Sequence, residues 1–307
     1  MLPEFELRSP HTLMEALQLL HEAHPQGAPV AGGTNLVPDL RSGRHCPKVL
    51  VDISRLEDLR GIRREDGMIS AGGCVTIAEL LASPLVAETA GALHAAARLF
   101  ASPLIRNRAT LAGNLVDASP AADTAPPLLV LDAQVTLLSQ SGCRTAPLAD
   151  FFTGVRKTVC RPDELIGSVR WPVSEPASET GFGYYKLGLR KADAISVISV
   201  AVRLDLGADG RCHQARVALG SVAPVPLRAY AVEALLQGQA LTPAILVEAG
   251  RLAAEAVSPI SDLRASASYR RRMADVLVQR LLKQTADGLM SVKGASLRGE
   301  PVPMARE

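Results

Sequence analysis

The segment ASPLIRNRATLAGNLVDASPAADTAPPLLVLDA, residues 101–133, decides the fold of this 307-residue chain. It contains two turns of small residues, LAGN and ASPAAD, and then a double proline that leads into an aliphatic run at 128–131. A backbone that carries few side chains can come close to a large polar ligand. The segment PVAGGTNLVPDL at 29–40 repeats this arrangement after a short apolar run. The two glycine-bearing turns together predict an extended, phosphate-containing ligand that is held from two sides.

The composition limits the class of protein. The length predicts about two domains, each large enough to bury a core. Apolar residues make up 48% of the chain and aromatic residues only 3%, so the core must consist of leucine, valine, isoleucine and alanine. The 33 basic and 31 acidic residues leave a net charge of +2. Because this charge cannot hold a polyanion and few rings can stack on bases, we expect no nucleic-acid partner.

The N-terminal segment and the apolar runs bear on localisation. The segment MLPEFELRSPHTLMEAL has acidic residues early and lacks the basic and apolar regions of a signal peptide. No uninterrupted apolar run approaches the roughly 18 residues that a membrane-spanning helix needs. We therefore expect a cytoplasmic protein without a membrane span.

The cysteines and the short motifs indicate no metal site and no catalytic side chain. The five cysteines are scattered, and none lies within five residues of another. Zinc and iron–sulfur sites usually contain close pairs such as C-x-x-C, because two thiolates must reach one centre. The motifs H-E-x-x-H and G-x-S-x-G are absent as well. Any chemistry must come from a bound organic cofactor or from another chain.

The first half of the chain mixes short strands with helices. Thr12 and Thr76 each precede an apolar helical pattern and have a glutamate three residues later, which predicts two capping boxes. A long alanine-rich helix is predicted from Pro84 to Phe100. Strands are predicted at 5–8, 28–31, 49–53, 134–139 and 164–171, with a hairpin of 59–64 and 68–71 around Asp66-Gly67. The strands at 28–31 and 49–53 are expected to be parallel, because a crossover lies between them.

The segment PVSEPASETGFG at 172–183 predicts a domain boundary, since prolines, serines and glycines are concentrated there. Beyond it, three alternating strands precede three helices, which indicates a domain with the helices on one sheet face. The predicted strands are 183–189, 195–206 and 212–220, and the predicted helices lie near 227–237, 243–257 and 266–286. From residue 287 onward we expect a flexible tail.

The turn AGGTN at 31–35 follows a strand. Glycines there permit positive φ angles and bring consecutive N–H groups together into an anion-binding nest, to which Thr34 and Asn35 can add donors. A plain turn after a strand explains the same glycines equally well. A second Ala-Gly-Gly at 71–73 is interpreted as the end of a hairpin.

The turn TLAGN at 110–114 offers a second glycine-lined approach, with Thr110 and Asn114 as hydrogen-bonding partners. Asp123 has two interpretations. It can cap the helix that Thr124 begins, or it can bind hydroxyl groups of a ligand. A ligand that has apolar rings in addition to phosphates would bind tightly, whereas a small anion would bind only marginally.

With these motifs the chain resembles the FAD-binding medium subunit of the molybdenum hydroxylases, the xanthine dehydrogenase and carbon monoxide dehydrogenase group. The resemblance runs from about residue 2 to residue 285. It depends on five segments in the same order, namely AGGTNLVPDLRSG, IRNRATLAGNLVDASPAADTAPPLLVLDA, ELIGSVRWP, YYKLGLRKADAISVISVAVRL and SPISDLRASASYRRRMADVLVQR.

The resemblance implies a set of FAD-binding residues. They are Pro29, Val30, Ala31, Gly32, Gly33, Thr34, Asn35, Phe100, Thr110, Gly113, Asn114, Asp123, Ile166 and Lys186. The segment 31–35 would wrap the diphosphate, and 110–114 would meet it from the other side. Ile166 and Lys186 would lie near the flavin, and Phe100 would stack on adenine as in some members. For Lys186 the alternative is an exposed strand lysine, while 190–193 would lie beside the isoalloxazine.

The resemblance also implies the architecture. Residues 1–175 would form an α+β, two-part FAD-binding domain of the vanillyl-alcohol-oxidase (PCMH) type, with subdomains at about 1–55 and 56–175. Residues 180–286 would form the flavoprotein C-terminal domain, a three-stranded antiparallel sheet with helices, before the flexible tail at 287–307. The FAD would be non-covalent. No [4Fe–4S] centre is expected, because 113–132 is uninterrupted and free of cysteine.

The function that the resemblance implies is electron transfer. Electrons from the [2Fe–2S] clusters of a small partner subunit would pass through FAD to an external acceptor, while a large subunit holds the molybdopterin. The complex would be a dimer of heterotrimers. Two alternatives remain, a stand-alone flavin reductase of the same fold and a structural assembly subunit whose flavin site has lapsed.

Overall fold

The computed structural model describes residues 2–173 and 179–298, and the chain has an α+β fold. The strands are β1 (Glu6–Arg8), β2 (Gly27–Val30), β3 (Val49–Asp52), β4 (Ile62–Glu65), β5 (Met68–Gly72), β6 (Gln134–Ser139), β7 (Gly142–Pro147), β8 (Phe152–Gly154), β9 (Lys157–Thr158), β10 (Leu165–Pro172), β11 (Glu179–Gly188), β12 (Ser196–Leu206), β13 (Cys212–Gly220) and β14 (Leu227–Arg228). The helices are α1 (Leu13–Glu22), α2 (Leu36–Arg41), α3 (Ile77–Ala82), α4 (Pro84–Thr89), α5 (Gly91–Leu99), α6 (Pro103–Arg106), α7 (Leu111–Val116), α8 (Ala125–Val130), α9 (Tyr230–Leu236), α10 (Pro243–Ala256) and α11 (Ala267–Arg298).

A small parallel sheet opens the chain, with strand order β1-β3-β2. The prediction that β2 and β3 are parallel is confirmed. Thr12 caps α1 by accepting from the N–H of Glu15 at 3.2 Å. The predicted capping box is only half formed, because Glu15 accepts from the N–H of His11 instead. Parallel strands place their carboxyl ends at one edge, so the segments that follow β2 and β3 lie side by side.

An antiparallel sheet of order β4-β5-β10-β6-β7 forms the middle of the molecule. The hairpin of β4 and β5 turns at Asp66 and Gly67, whose φ angles of 50° and 72° fit the twist of a two-residue hairpin. It begins at Ile62 because residues 57–59 form a 3₁₀ turn. The predicted continuous helix from Pro84 to Phe100 is wrong. Ala90 leaves the helical region with φ −143° and ψ 53°, and therefore separates α4 from α5.

The third sheet has the order β11-β12-β13-β14. The prediction of three strands is corrected, because Leu227–Arg228 pair with β13 as a short fourth strand before α9. A Cβ on Gly181 or Gly183 would contact α11, whereas Phe182 between them faces Gly91 of α5. Helices therefore cover both faces of the sheet. Helices α5 and α8 come from the first half of the chain and pack on the face opposite α11. The three helices that follow the strands, α9, α10 and α11, share one apolar cluster with the sheet, so the prediction that these helices lie on one face is confirmed.

The last helix extends further than the sequence predicts. Helix α11 runs to Arg298, so the tail expected from residue 287 is helical up to that residue. A Lys283–Asp287 ion pair at 2.6 Å spans the predicted boundary, and no proline interrupts 284–298. Residues 299–307 lie outside the described residues, as do residues 174–178 of the predicted boundary segment 172–183. Within residues 2–173 and 179–298, no helix has the length and apolar character to cross a membrane.

Candidate functional site

The loop at 31–35 connects β2 to α2 and presents a row of unpaired donors. The N–H groups of Gly32, Gly33, Thr34 and Asn35 donate no hydrogen bond to any described residue. Gly33 has a φ of +70°, a left-handed conformation that brings successive N–H groups onto one side. Consecutive free N–H groups in such a turn form a concave anion-binding surface. This geometry favours the nest over the plain turn.

Gly32 brings the two predicted loops together. A Cβ at this position would lie 1.8 Å from the carbonyl oxygen of Arg108, so no larger residue fits. The carbonyl oxygen of the neighbouring residue, Ala109, accepts from the N–H of Ile77 at 2.9 Å. Thr110 forms an isolated antiparallel β-bridge with Thr76. The loop at 31–35 and the segment leading into α7 are therefore in direct backbone contact. The sequence predicts this juxtaposition.

A pocket of about 220 Å³ lies at this contact. It is lined by Ala31, Gly32, Ser54, Arg55, Arg60, Cys74, Thr76, Asn107, Arg108 and Thr110. Three of these residues are arginines, and none of the lining residues is a carboxylate. The buried Nε of Arg60 has no described hydrogen-bond partner, although its Nη2 donates to the carbonyl of Ser54 at 2.6 Å. Such a donor set suits a diphosphate.

Most of these lining residues are absent from the sequence-based prediction. Ser54 and Arg55 follow β3, just as the glycine loop follows β2. The prediction of two parallel neighbouring strands was the signal that could have located them, because both strands end at the same sheet edge. Arg60, Cys74 and Thr76 flank the hairpin of β4 and β5 on its two sides, and no local sequence pattern marks their contact with this edge.

The side chains of Thr110 and Asn114 stabilise the conformation of the loop at 110–114 through hydrogen bonds. The hydroxyl of Thr110 accepts from the N–H of Gly113 at 3.0 Å and so caps α7. A Cβ on Gly113 would lie 2.8 Å from that hydroxyl. Asn114 accepts through Oδ1 from the hydroxyl of Thr124 at 2.6 Å. Both side chains therefore hold the loop in shape, which leaves the exposed backbone of Gly113 open to a ligand.

Asp123 and Lys186 form a buried ion pair. The Lys186 Nζ lies 2.6 Å from Oδ2 of Asp123, and the two side chains are only 6% and 10% exposed. Lys186 also donates to the carbonyl of Leu99 at 3.3 Å, and Tyr184 donates to Asp123 at 3.4 Å. Asp123 is not the cap of α8, whose first turn begins at Thr124 without a side-chain cap. Lys186 is not an exposed strand lysine.

Burial controls the electrostatics of this pair. Desolvation raises the pKa of Asp123 above its usual value, and the attraction and hydrogen bond of Lys186 oppose that rise. Burial also raises the pKa of Tyr184 well above its usual value, so this phenol stays protonated and able to donate. Sequence inspection missed Tyr184, whose alternation with Lys186 along β11 places both side chains on one face. Tyr184, Asp123 and Lys186 thus form one polar cluster within an apolar sheet interface.

The remaining predicted residues lie outside the two loops and the ion pair. Pro29 and Val30 end β2 and are half-buried. Phe100 and Ile166 belong to one buried apolar cluster, with exposures of 8% and 4%, so little of either side chain reaches solvent. The segment 190–193 forms the exposed connection between β11 and β12, in which Asp193 has a φ of 50°.

Comparison with known proteins identifies the class. Residues 3–174 match the family model of the FAD binding domain in molybdopterin dehydrogenase. Residues 183–285 match the family model of the CO dehydrogenase flavoprotein C-terminal domain. Since the two models together span most of the chain, the protein belongs to the family of FAD-binding subunits of molybdenum hydroxylases. The resemblance found in the sequence is confirmed.

Individual relatives cover nearly the whole chain. The carbon monoxide dehydrogenase medium chain of Hydrogenophaga pseudoflava is 32% identical over 280 residues, which are 91% of this chain and 96% of that one. The xanthine dehydrogenase FAD-binding subunit of Escherichia coli O157:H7 is 32% identical over 284 residues, which are 91% of this chain and 96% of that one. A solved carbon monoxide dehydrogenase from H. pseudoflava has a TM-score of 0.89 and 32% identity, covering 94% of this chain and 99% of that chain. Quinoline 2-oxidoreductase from Pseudomonas putida 86 has a TM-score of 0.88 and 30% identity, with the same coverage.

The family and the site agree on the cofactor. The protein is an oxidoreductase subunit whose cofactor is FAD. The free N–H groups at 32–35 and the arginine-lined pocket both fit a dinucleotide diphosphate. Within the described residues, no three His, Cys, Asp or Glu side chains converge as a metal site.

Proposed function

We propose that this chain is the electron-transfer subunit of its complex. It takes electrons from the [2Fe–2S] clusters of a partner subunit and passes them through FAD to an external acceptor. The relatives are medium chains or FAD-binding subunits of dehydrogenases, which supports a role within a larger assembly. Bound FAD supplies the redox chemistry at its isoalloxazine ring. The chain itself supplies binding, orientation and charge.

The observation that carries this proposal is the row of free N–H groups at 32–35 beside the arginine pocket. These donors would hold the diphosphate, and the backbone at 110–114 would close on it from the opposite loop. Asp123 would accept from a sugar hydroxyl while Lys186 keeps the carboxylate in place. The full set proposed for FAD comprises Pro29, Val30, Ala31, Gly32, Gly33, Thr34, Asn35, Phe100, Thr110, Gly113, Asn114, Asp123, Ile166 and Lys186.

The proposal includes a division into domains. An FAD-binding domain would span 1–175, with subdomains at about 1–55 and 56–175, and a C-terminal domain would span 180–286. The strand pairing supports this division, because the sheet of β11 to β14 exchanges no strand with the sheets before it. The buried Asp123–Lys186 pair would then join the two domains at the cofactor.

The partners are a large molybdopterin subunit and a small subunit with two [2Fe–2S] clusters, assembled as a dimer of heterotrimers. Support comes from the relatives, which are 30–32% identical to this chain over more than 90% of its length. One relative is the glyceraldehyde dehydrogenase medium chain of Sulfolobus acidocaldarius, and the words "medium chain" indicate an enzyme of several chains. The substrate of the complex is determined by the large subunit.

The test is an absorbance spectrum of the purified chain followed by analysis of what purifies with it. The proposal expects a flavin spectrum, and it expects a large and a small subunit with molybdenum and iron. A chain without flavin would indicate the lapsed site. Flavin without any partner, molybdenum or iron would indicate the stand-alone reductase.

A further inference from the structure

The two loops of the candidate site each lead into a short helix, and each helix has an aspartate one turn beyond its loop. Asp39 belongs to α2, and its N–H donates to the carbonyl of Asn35, the last residue of the glycine loop after β2, at 3.0 Å. Asp117 directly follows α7, and its N–H donates to the carbonyl of Gly113 in the second loop at 3.1 Å. A displacement of either aspartate would therefore move the backbone of its loop.

The side chain of Arg156 joins these two aspartates. Arg156 lies in the turn between β8 and β9, and its Nη1 donates to Oδ2 of Asp39 at 2.8 Å and to Oδ1 of Asp117 at 3.2 Å. Its backbone is anchored as well, because its N–H donates to the carbonyl of Ala118 at 2.9 Å. A third segment, far from both loops in the sequence, thus links the two helices that follow them.

The burial of the two carboxylates strengthens this link. The side chains of Asp39 and Asp117 are only 14% and 10% exposed, although that of Arg156 is 41% exposed. Fully exposed ion pairs contribute little to stability, whereas burial reduces the screening of charge by solvent. Both carboxylates accept from the same nitrogen, so they lie close together and would repel each other without the cation between them. Within the described residues, Oδ2 of Asp117 is buried without a hydrogen-bond partner, which leaves this carboxylate dependent on Arg156.

The link through Arg156 is a second attachment between the two loops. The first is the contact at Gly32, where the carbonyl of Arg108 occupies the position of a Cβ. Arg156 adds an attachment one helical turn behind the loops, and it does not line the pocket of about 220 Å³ at their contact. Two attachments at different points fix the angle between the loops as well as their distance. Donors that are fixed in this way before a ligand arrives lose less entropy when it binds.

We propose that Arg156 is a positioning residue for FAD, which holds the two loops at the separation that the diphosphate requires. This inference rests on the proposed function, because it acts through the loops to which the diphosphate is assigned there. Without the guanidinium, repulsion between Asp39 and Asp117 moves α2 and α7 apart. The loops in front of these helices then no longer close on the diphosphate from both sides.

The test measures the affinity of the full-length apoprotein for FAD and for riboflavin, which lacks the diphosphate and the adenosine. Arg156→Met should weaken FAD binding about tenfold, because displaced donors lose the equivalent of one hydrogen bond to a charged group. The affinity for riboflavin should stay unchanged. Arg156→Lys should recover most of the lost FAD affinity, since one ammonium can serve both carboxylates as the single Nη1 does.

Arg44→Met is the matched control. Arg44 also pairs with Asp39, at 2.5 Å, but it follows α2 in the sequence and forms no ion pair with Asp117 among the described residues. Its removal leaves the link between the helices in place, so the affinity for FAD should stay near that of the wild type. Should Arg156→Met fail to fold, Asp117→Ala carries the same expectation, because it detaches α7 from the link.

Four results would overturn the inference. Unchanged FAD affinity in Arg156→Met would do so while leaving the diphosphate site intact, provided that the wild type prefers FAD to riboflavin. Equal losses for FAD and riboflavin would indicate a general loss of structure. A loss in Arg44→Met as large as in Arg156→Met would mean that the charge beside Asp39 matters and the link does not. A wild type that binds riboflavin as tightly as FAD would refute the diphosphate site itself, and the role of Arg156 with it.

Discussion

At the candidate site, the identity of single residues depends on the space that is available to a side chain and on the need to compensate buried charge. Gly32 is required because the Arg108 carbonyl occupies the position of a Cβ, and Gly33 because its φ is positive. Asp123 and Lys186 are required as a pair, because either charge alone would be buried without compensation. The glycines could be predicted from the sequence as a turn. The ion pair could not, because its members lie 63 residues apart and no local pattern connects them.

The first prediction concerns Gly33. Gly33→Ala and Gly43→Ala place the same residue at φ angles of +70° and +69°, so both should lose about 1 kcal/mol of stability from backbone strain. Only Gly33→Ala should also weaken FAD binding, because it moves the free N–H groups of the loop. Fluorescence titration of the apoprotein with FAD measures the difference. Equal FAD affinity in the two variants would contradict the assignment of the loop.

The second prediction concerns the buried ion pair. Lys186→Met should destabilise the chain by about 3–5 kcal/mol, because it leaves Asp123 buried without its partner. Lys186→Met combined with Asp123→Asn should recover part of that loss, since neither remaining group is charged. Urea unfolding of the two single variants and the double variant measures the coupling free energy. Additive losses would show that the two side chains do not interact.

At the scale of elements, the strands and their pairing follow closely from sequence patterns. The hairpin of β4 and β5 and the parallel pair of β2 and β3 are predicted from Asp66-Gly67 and from the crossover. The break between α4 and α5 is missed because alanine-rich sequence continues through Ala90. The 3₁₀ turn at 57–59 and the strand β14 are missed because such short elements depend on tertiary contacts.

The third prediction concerns the loop before α11. Although partial burial acts to raise the pKa of Asp262, the N–H of Arg264, the guanidinium of Arg270 and the N–H of Ala265 lower it from 3.8 to about 2. A pKa lowered by folding stabilises the folded state above the unfolded value, and this stability is lost as pH falls through the folded value. Asp262→Asn should therefore reduce stability by about 1–2 kcal/mol at pH 7.

The difference between Asp262→Asn and the wild type should shrink as pH falls from about 4 towards about 2. Urea unfolding at a series of pH values measures it. Asp58→Asn, at an exposed position of the 57–59 turn, is the matched control for the substitution. A constant difference across the pH range would mean that Asp262 acts through its shape and not through its charge.

At the scale of the whole molecule, a few polar contacts add to the apolar packing of α8 on the C-terminal sheet. Asp132, which follows α8, lies 2.5 Å from Arg216 of β13 and 2.7 Å from Arg228 of β14. Arg228 also donates to the carbonyl of Leu129 at 3.0 Å and pairs with Glu233 at 2.6 Å. These contacts attach α8 to the C-terminal sheet. The sequence predicts the parts but not this attachment, because it arises only when the sheet packs on α8.

The fourth prediction follows from this attachment. Asp132→Asn removes the charge that both arginines share, so the two halves of the chain should unfold less cooperatively. Differential scanning calorimetry should show a broadened or split transition, with a loss of about 1–3 kcal/mol. Asp209→Asn is the control, because Asp209 pairs with Arg211 inside a single hairpin. A single sharp transition in Asp132→Asn would contradict the role of this contact.

The central claim is that the chain binds FAD by its diphosphate. Equilibrium titration of the apoprotein with FAD, and with riboflavin as the ligand that lacks the diphosphate and the adenosine, tests it most directly. FAD should bind at least a hundredfold more tightly, and added salt should reduce that advantage because the arginine pocket contributes to it. Riboflavin that binds as tightly as FAD would show that the loops at 31–35 and 110–114 do not hold the diphosphate.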